Sequence, residues 1–268
     1  MHHALYLPPF GELADPRVLV DLAVTAEEVG WDGIFLWDHV LRPPSSPPEV
    51  GDTWVTLSAM AAATSRLRLG PMVTPLARRR PQKVARESVA LDHLAAGRLT
   101  LGLGLGVDTG GELARFGELT DAKERGDALD EAVELLTALW SGEEVHHAGP
   151  RYVADGVRFR PVPLQSPRIP LWFAARGSAT RPVRRAARFD GIFPIEVDDT
   201  QLAHTVDLVV AERGDLEGFD VAVLGIPGID VDALAARGAT WVLWSYLPGE
   251  SAAEVRAGID ACPGAEAG

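Results

Sequence analysis

Asp38 and His39 stand side by side just past the apolar run Gly33 to Trp37. A carboxylate can accept hydrogen bonds from the N–H groups of a heterocycle, and an imidazole can exchange a proton near neutral pH. A capped loop start with a solvated histidine would leave the same trace. A second candidate is Arg176-Gly177-Ser178, which follows the apolar run Leu171 to Ala175 and precedes a helical pattern. The free N–H groups of a helix start, a hydroxyl and a guanidinium together make a phosphate cradle. An ordinary N-cap at Ser178 is the plain alternative. Arg181, Arg184 and Arg185 add positive charge nearby. The run Arg78-Arg79-Arg80 reads either as a solvated charge run or as an anion-attracting rim.

Backbone signals accompany these groups. Gly102, Gly104 and Gly106 alternate along one apolar run, so they strip side chains from one face of a strand. That permits either close approach of a flat ligand or tight packing between strands. Spaced Gly-x-Gly-x-Gly with no helix start directly after it, the run is not a dinucleotide fingerprint. Gly70-Pro71-Met72-Val73-Thr74-Pro75 suggests an irregular strand end, a bulge or a simple turn. No metal site is expected, because His146-His147 are adjacent and no other ligand spacing occurs. No Gly-x-Ser-x-Gly elbow is present, and Trp241 and Trp244 read as packing residues.

Short apolar runs alternate with longer amphipathic segments along the chain, which argues for parallel strands joined by crossover helices. Strands are expected at His3 to Leu7, Gly33 to Trp37, Leu67 to Val73, Leu99 to Gly104, Leu171 to Ala175, Gly191 to Ile195, Asp220 to Leu224 and Thr240 to Trp244. Each precedes a helical pattern. Asp15-Pro16 opens the first helix and Gly30 closes it. The fourth helix carries Leu129, Val133, Leu136 and Trp140 on one face, with a capping-box pattern at Asp121 and Glu124. Residues 143–170 form a Pro-rich excursion with room for a small hairpin. An α/β fold of the TIM (β/α)8 barrel type, with an excursion after the fourth helix, accounts for this order. A doubly wound open sheet is the competing architecture. Candidate groups after strands then share the C-terminal rim of a barrel.

The 268 residues fit one such domain, 1–268, with 143–170 as an insertion. A net charge of −13 opposes encounter with nucleic acid or an anionic membrane. No apolar run approaches the roughly 20 residues a membrane span requires. The lone Cys262 rules out a disulfide within the chain and suits a reducing, cytoplasmic setting. It reads as a peripheral thiol without a role.

Several segments, in order, resemble the luciferase-like flavin- and deazaflavin-dependent oxidoreductases. They are Asp52 to Leu57, Ala61 to Gly70, Arg98 to Gly104, Arg125 to Glu131 with Leu139-Trp140, and Arg185 to Gly191. The resemblance implies a TIM barrel with FMN or the deazaflavin coenzyme F-420 lying across the strand ends. It places Asp38 and His39 beside the reactive ring, Met72-Val73 at a bulge that often holds a non-proline cis peptide and backs the ring, and Gly104, Leu105 and Gly106 against the cofactor. Arg176, Gly177 and Ser178 match the phosphate site, although Ala175-Arg176 stand where a glycine pair is usual and Ile192 where Trp is frequent. A small organic substrate undergoing hydride transfer or monooxygenation is implied, with His39 as proton donor or acceptor. Arg78 to Arg80 would attract a polyglutamate tail. A reductase supplying reduced cofactor and a homodimer are expected partners. The alternative is a non-catalytic flavin-binding relative.

Overall fold

Nine parallel strand segments wrap into a nearly closed barrel in the computed structural model, which describes residues 1–261. They are β1 (His2–Leu7), β2 (Gly33–Leu36), β3 (Arg68–Pro71), β4 (Thr74–Pro75), β5 (Leu101–Gly104), β8 (Leu171–Arg176), β9 (Gly191–Ile195), β10 (Asp220–Gly225) and β11 (Trp241–Ser245). β1 pairs with both β2 and β11, so the first and last strands close one side of the barrel. The expected third strand is broken in two. A cis peptide joins Met72 to Val73 between β3 and β4. β3 pairs with β2 whereas β4 pairs with β5, and a bridge from Leu69 to Leu99 completes the ring. β3 and β4 are thus two halves of one barrel strand.

Among the described residues eight α-helices surround the strands: α1 (Pro16–Val29), α2 (Thr53–Ala63), α3 (Pro81–Leu94), α4 (Ala122–Trp140), α5 (Thr180–Ala186), α6 (Asp199–Arg213), α7 (Val231–Ala236) and α8 (Ala252–Asp260). Local chemistry sets their ends. The Asp15 carboxylate accepts from Arg17 N–H, Pro16 opens α1, and Gly30 closes it at φ 107°. Asp121 caps α4 by accepting from Glu124 N–H. The excursion contains the expected hairpin, β6 (Glu144–Ala148) against β7 (Val153–Arg158). Cys262 lies outside the described residues.

Two apolar layers hold the barrel. The larger lies between strands and helices and includes Leu19, Leu57, Val84, Leu129 and Leu136. The smaller fills the barrel interior with Tyr6, Phe35, Met72, Trp172, Phe193, Trp241 and Leu243. Trp172 sits 5.4 Å from Phe35 and 5.6 Å from Trp241, ring to ring. Gly191 makes room for the Trp172 indole. Burying each such side chain contributes about 1.5–3 kcal/mol. This aromatic plug closes the barrel below its C-terminal rim, so any ligand must sit above it.

Candidate functional site

All nine barrel segments run in one direction, so their C-terminal ends open on one rim. A cavity of about 580 Å3 lies there. Its floor is the top of the aromatic plug: Tyr6, Met72 and Phe193. Asp38 and His39 line one side, Val73 and Gly104 to Gly106 a second, and Ala174 to Arg176 a third. Asp38, His39, Met72, Val73, Gly104, Leu105, Gly106 and Arg176 therefore meet, as their strand-end positions require. Gly177 and Ser178 lie beside this cavity rather than on its wall.

His39 is held by a residue that sequence reasoning missed. Its Nδ1 lies 3.2 Å from Glu112 Oε2. The same oxygen accepts from Val40 N–H at 3.1 Å, and Glu112 Oε1 lies 2.9 Å from Arg78 Nη1. Glu112 is presented by a tight turn after β5. Asp108 Oδ1 accepts from Leu113 N–H at 2.7 Å, and Gly111 takes φ 76°. A Cβ at Gly110 would strike the Arg42 carbonyl oxygen, so this loop packs directly on the loop after β2. The Gly110-Gly111-Glu112 run beyond a strand end was the available signal. Burial would push the Glu112 carboxyl up, but the His39 hydrogen bond and the Arg78 guanidinium hold it below its ordinary range. An ionised Glu112 accepts from Nδ1–H, which leaves Nε2 of the neutral ring as a proton acceptor.

Asp38 plays a different part from the one its position suggested. It is 4% exposed, and the structure surrounds it with protein donors. Thr74 Oγ1–H donates at 2.6 Å and Trp54 Nε1–H at 3.2 Å, both to Oδ2. Arg79 Nη2 reaches both oxygens at 2.9 Å, and Arg78 Nη2 reaches Oδ1 at 3.1 Å. Burial opposes ionisation, but Arg79, Arg78 and the Thr74 hydroxyl together hold the carboxyl below its usual range. With its lone pairs engaged, Asp38 is a fixed anchor of the β2 end rather than a free acceptor for a heterocycle.

That arrangement also corrects the reading of Arg78 and Arg79, while Arg80 stays exposed at the start of α3. The Arg78 side chain is 5% exposed and Arg79 is 22% exposed. Both turn inward onto Asp38, and Arg79 lies over the Trp54 ring at 5.4 Å. Their charge is consumed inside the fold, so they do not form a rim for a polyanionic tail.

The glycine run is settled by packing. A Cβ at Gly102 would overlap the Pro71 carbonyl oxygen, and one at Gly104 would meet Val73 Cγ2 at 2.6 Å. One at Gly106, where φ is 72°, would meet Pro75 Cβ at 2.9 Å. These glycines admit the β3–β4 junction, and Gly104 and Gly106 also line the cavity directly.

The cationic end of the cavity likewise departs from expectation. α5 starts after Ala179, and no side chain caps it, so Ser178 is not the N-cap. Arg176 reaches the cavity but pairs with Glu196 Oε1 at 3.1 Å, both half-exposed. A second cation, missed in the sequence, stands deeper. Arg125 in the first turns of α4 is 9% exposed and lines the cavity. Its Nη1 donates to the carbonyls of Thr120 and Leu119, its Nε has no partner, and no carboxylate pairs with it among the described residues. A buried guanidinium without a counter-ion is costly unless a ligand supplies the anion. Trp37 Nε1 is another buried donor without a partner, beside Tyr6. Burial pushes the Tyr6 hydroxyl's pKa well up, against the opposing pull of Arg176. Trp241 lies in the barrel interior, and Trp244 donates to His3 Nδ1 at 3.1 Å; both serve packing.

Among the described residues no helix is long and apolar enough to cross a membrane, and no cluster of metal-ligating side chains forms. Residues 5–261 match the family described as luciferase-like monooxygenase. The F420-dependent glucose-6-phosphate dehydrogenase of Gordonia bronchialis is 34% identical over 168 residues, covering 62% of this chain and 49% of that relative. The enzyme of that description from Beutenbergia cavernae is 38% identical over 170 residues, with coverage of 62% and 49%. The chain spans about half the length of the curated relatives it matches. Among solved structures, monooxygenase RslO1 from Streptomyces bottropensis superposes with a TM-score of 0.78 at 19% identity, covering 99% of this chain and 98% of that one. An F420-dependent secondary alcohol dehydrogenase in complex with an F420-acetone adduct gives 0.73 at 21% identity, covering 83% and 68%. These structural likenesses establish the barrel fold.

Proposed function

Because the chain belongs to the luciferase-like monooxygenase family, we propose that it is an oxidoreductase acting through a flavin-type cofactor, and that the cofactor is the deazaflavin coenzyme F-420. The observation that carries this reading is the pairing of two features across one cavity. His39, oriented by Glu112, stands at one wall, and the buried, uncompensated Arg125 stands at another. A planar ring with an anionic arm satisfies both. The cavity volume lies within the roughly 300–1,000 Å3 usual for ligand sites. The curated relatives at 33–38% identity are described as F420-dependent, which favours the deazaflavin over FMN.

Arg125 would hold the phosphate of the arm, with Gly177 and Ser178 beside it and Arg176, paired with Glu196, at the mouth. Met72 and Val73 would back the ring, and Gly104, Leu105 and Gly106 would line its edge. The cofactor, when bound, supplies the capacity to accept or give a hydride. His39 exchanges the accompanying proton at Nε2, so that an alcohol loses O–H hydrogen to the imidazole, or a carbonyl gains it. Glu112 keeps Nδ1–H engaged and stabilises the imidazolium when it forms. Asp38 keeps the β2 end rigid by fixing Arg78, which in turn fixes Glu112.

Titrating the purified protein with F-420 and with FMN tests the assignment. F-420 should bind more tightly, and hydride transfer should follow with some member of an alcohol and carbonyl panel. FMN preference with oxygen consumption would replace it by a monooxygenase reading. Cofactor binding with neither oxygen consumption nor hydride transfer on any member of the panel would make the chain a non-catalytic binder.

A further inference from the structure

The charge inventory of the cavity bears on the substrate. Its walls carry the cations Arg125 and Arg176 and the anions Asp38, Glu112 and Glu196. Arg78 and Arg79 offset Asp38, and His39 with Arg78 offsets Glu112. Arg125 answers to the cofactor's phosphate on the reading above. Arg176 is the one remaining cation on the wall, and Glu196 pairs with it at 3.1 Å. Glu196 occupies the left-handed region at φ 57°, a conformation that costs a non-glycine residue free energy and points to a constraint on where its carboxylate is placed. A phosphorylated substrate would therefore meet a carboxylate at the mouth and find no uncommitted cation inside, among the described residues.

The remaining lining is of another kind. Tyr6, Trp37, Phe193, Ile195 and Leu224 form an aromatic and aliphatic wall. Apolar side chains also flank the entrance. Leu247 follows β11, is 66% exposed and lines the cavity, as do the half-buried Leu41 and Pro43. Exposed apolar groups gathered at a cavity mouth mark an entry for apolar ligands.

We propose that the substrate is an uncharged, largely apolar ketone or secondary alcohol, its oxygen directed toward His39, and that Glu196 excludes phosphorylated compounds by neutralising Arg176. The curated relatives are described as acting on glucose 6-phosphate, so this chain differs from them in substrate class. The inference rests on the oxidoreductase reading for its chemistry, but the binding preference stands separately.

The test titrates cofactor-free Arg125→Met protein, which lacks the cation assigned to the cofactor, with cyclohexanone and with glucose 6-phosphate, following tryptophan fluorescence. The same pair, as cyclohexanol and glucose 6-phosphate, is then offered to the cofactor-loaded protein. Cyclohexanone should perturb the fluorescence, and glucose 6-phosphate should bind at least about tenfold more weakly. Glu196→Lys should strengthen glucose 6-phosphate binding by about tenfold or more while changing cyclohexanone binding less than about twofold. Tighter binding of glucose 6-phosphate than of cyclohexanone while Glu196 is intact overturns the inference, as does a Glu196→Lys protein that remains indifferent to glucose 6-phosphate. Failure to bind either cofactor would sink the oxidoreductase reading alone, because the preference between probes is read without cofactor.

Discussion

Replacing Asp38 with Asn removes one charge from the most densely bonded side chain of the site. The carboxylate is 4% exposed and offsets two guanidiniums, with Thr74 and Trp54 also donating to it. The substitution keeps the shape but leaves Arg79 partly uncompensated and places an amide N–H₂ among donors. Removing one partner of a buried ion pair costs about 3–5 kcal/mol. Against a total stability of about 5–15 kcal/mol, that loss moves the unfolding midpoint far to lower denaturant. Urea unfolding followed by circular dichroism measures it. Most of the penalty is the stranded cation, so Asp38→Asn combined with Arg79→Met should cost about 1–3 kcal/mol less than the two single losses added. The pH dependence has a definite sign. Asp38 titrates below its unfolded value, so its contribution is present above the ordinary carboxylate range and is lost as pH falls through the depressed folded value. The unaltered protein should therefore weaken more steeply in acid than the Asn variant. An unchanged midpoint, or strictly additive losses, would show that Asp38 is not the anchor described.

Four further outcomes are expected. Arg125→Met should leave the cofactor-free protein as stable as before, or more stable, because an uncompensated buried charge is removed; its cofactor affinity should fall about tenfold or more by fluorescence titration. Glu112→Gln should lower kcat by about a hundredfold with little change in cofactor affinity, since the lost function is orienting the His39 ring; stopped-flow single turnovers separate the two effects. Gly102→Ala should destabilise by about 1–3 kcal/mol in thermal melts, because the added methyl meets the Pro71 carbonyl. Glu27 accepts from the backbone N–H groups of Ser65, Arg66 and Leu67, which outweigh its modest burial and bring its pKa down to about 2. Its contribution is present above the unfolded carboxylate pKa and vanishes as pH falls toward 2, so Glu27→Gln should cost about 1 kcal/mol at neutral pH and progressively less in acid.

The strands and helices were legible because apolar runs, caps and glycines act locally. Asp15, Pro16 and Gly30 mark the ends of α1 as their chemistry requires. The break at Met72-Val73 was visible only as an irregular strand end. Its division into β3 and β4 depends on pairing with β2 on one side and β5 on the other, a non-local choice. Asp38 and His39 were legible as a strand-end pair, but their division of labour was not. Which of two adjacent residues faces buried arginines and which faces a cavity is set by partners 40 and 73 positions away. Arg78 to Arg80 looked like a solvated run because nothing local reveals that Asp38 lies behind it. Arg125 was overlooked for the converse reason: within an acidic helix it reads as one more surface charge, and only the packing of α4 against the rim buries it without a carboxylate. The glycines of β5 were recognised as special; the protein contact they admit, with the β3–β4 junction, depends on a strand the local sequence does not reveal.

The central claim is that one cavity presents an oriented imidazole and a ligand-seeking guanidinium to the same planar, anionic cofactor. The most direct measurement is a fluorescence titration of F-420 against the unaltered protein, Arg125→Met and His39→Ala. The account predicts saturable binding to the unaltered protein, markedly weaker binding to Arg125→Met, and nearly unchanged binding to His39→Ala with hydride transfer lost. Equal affinity for all three proteins, or no binding to any of them, would contradict it.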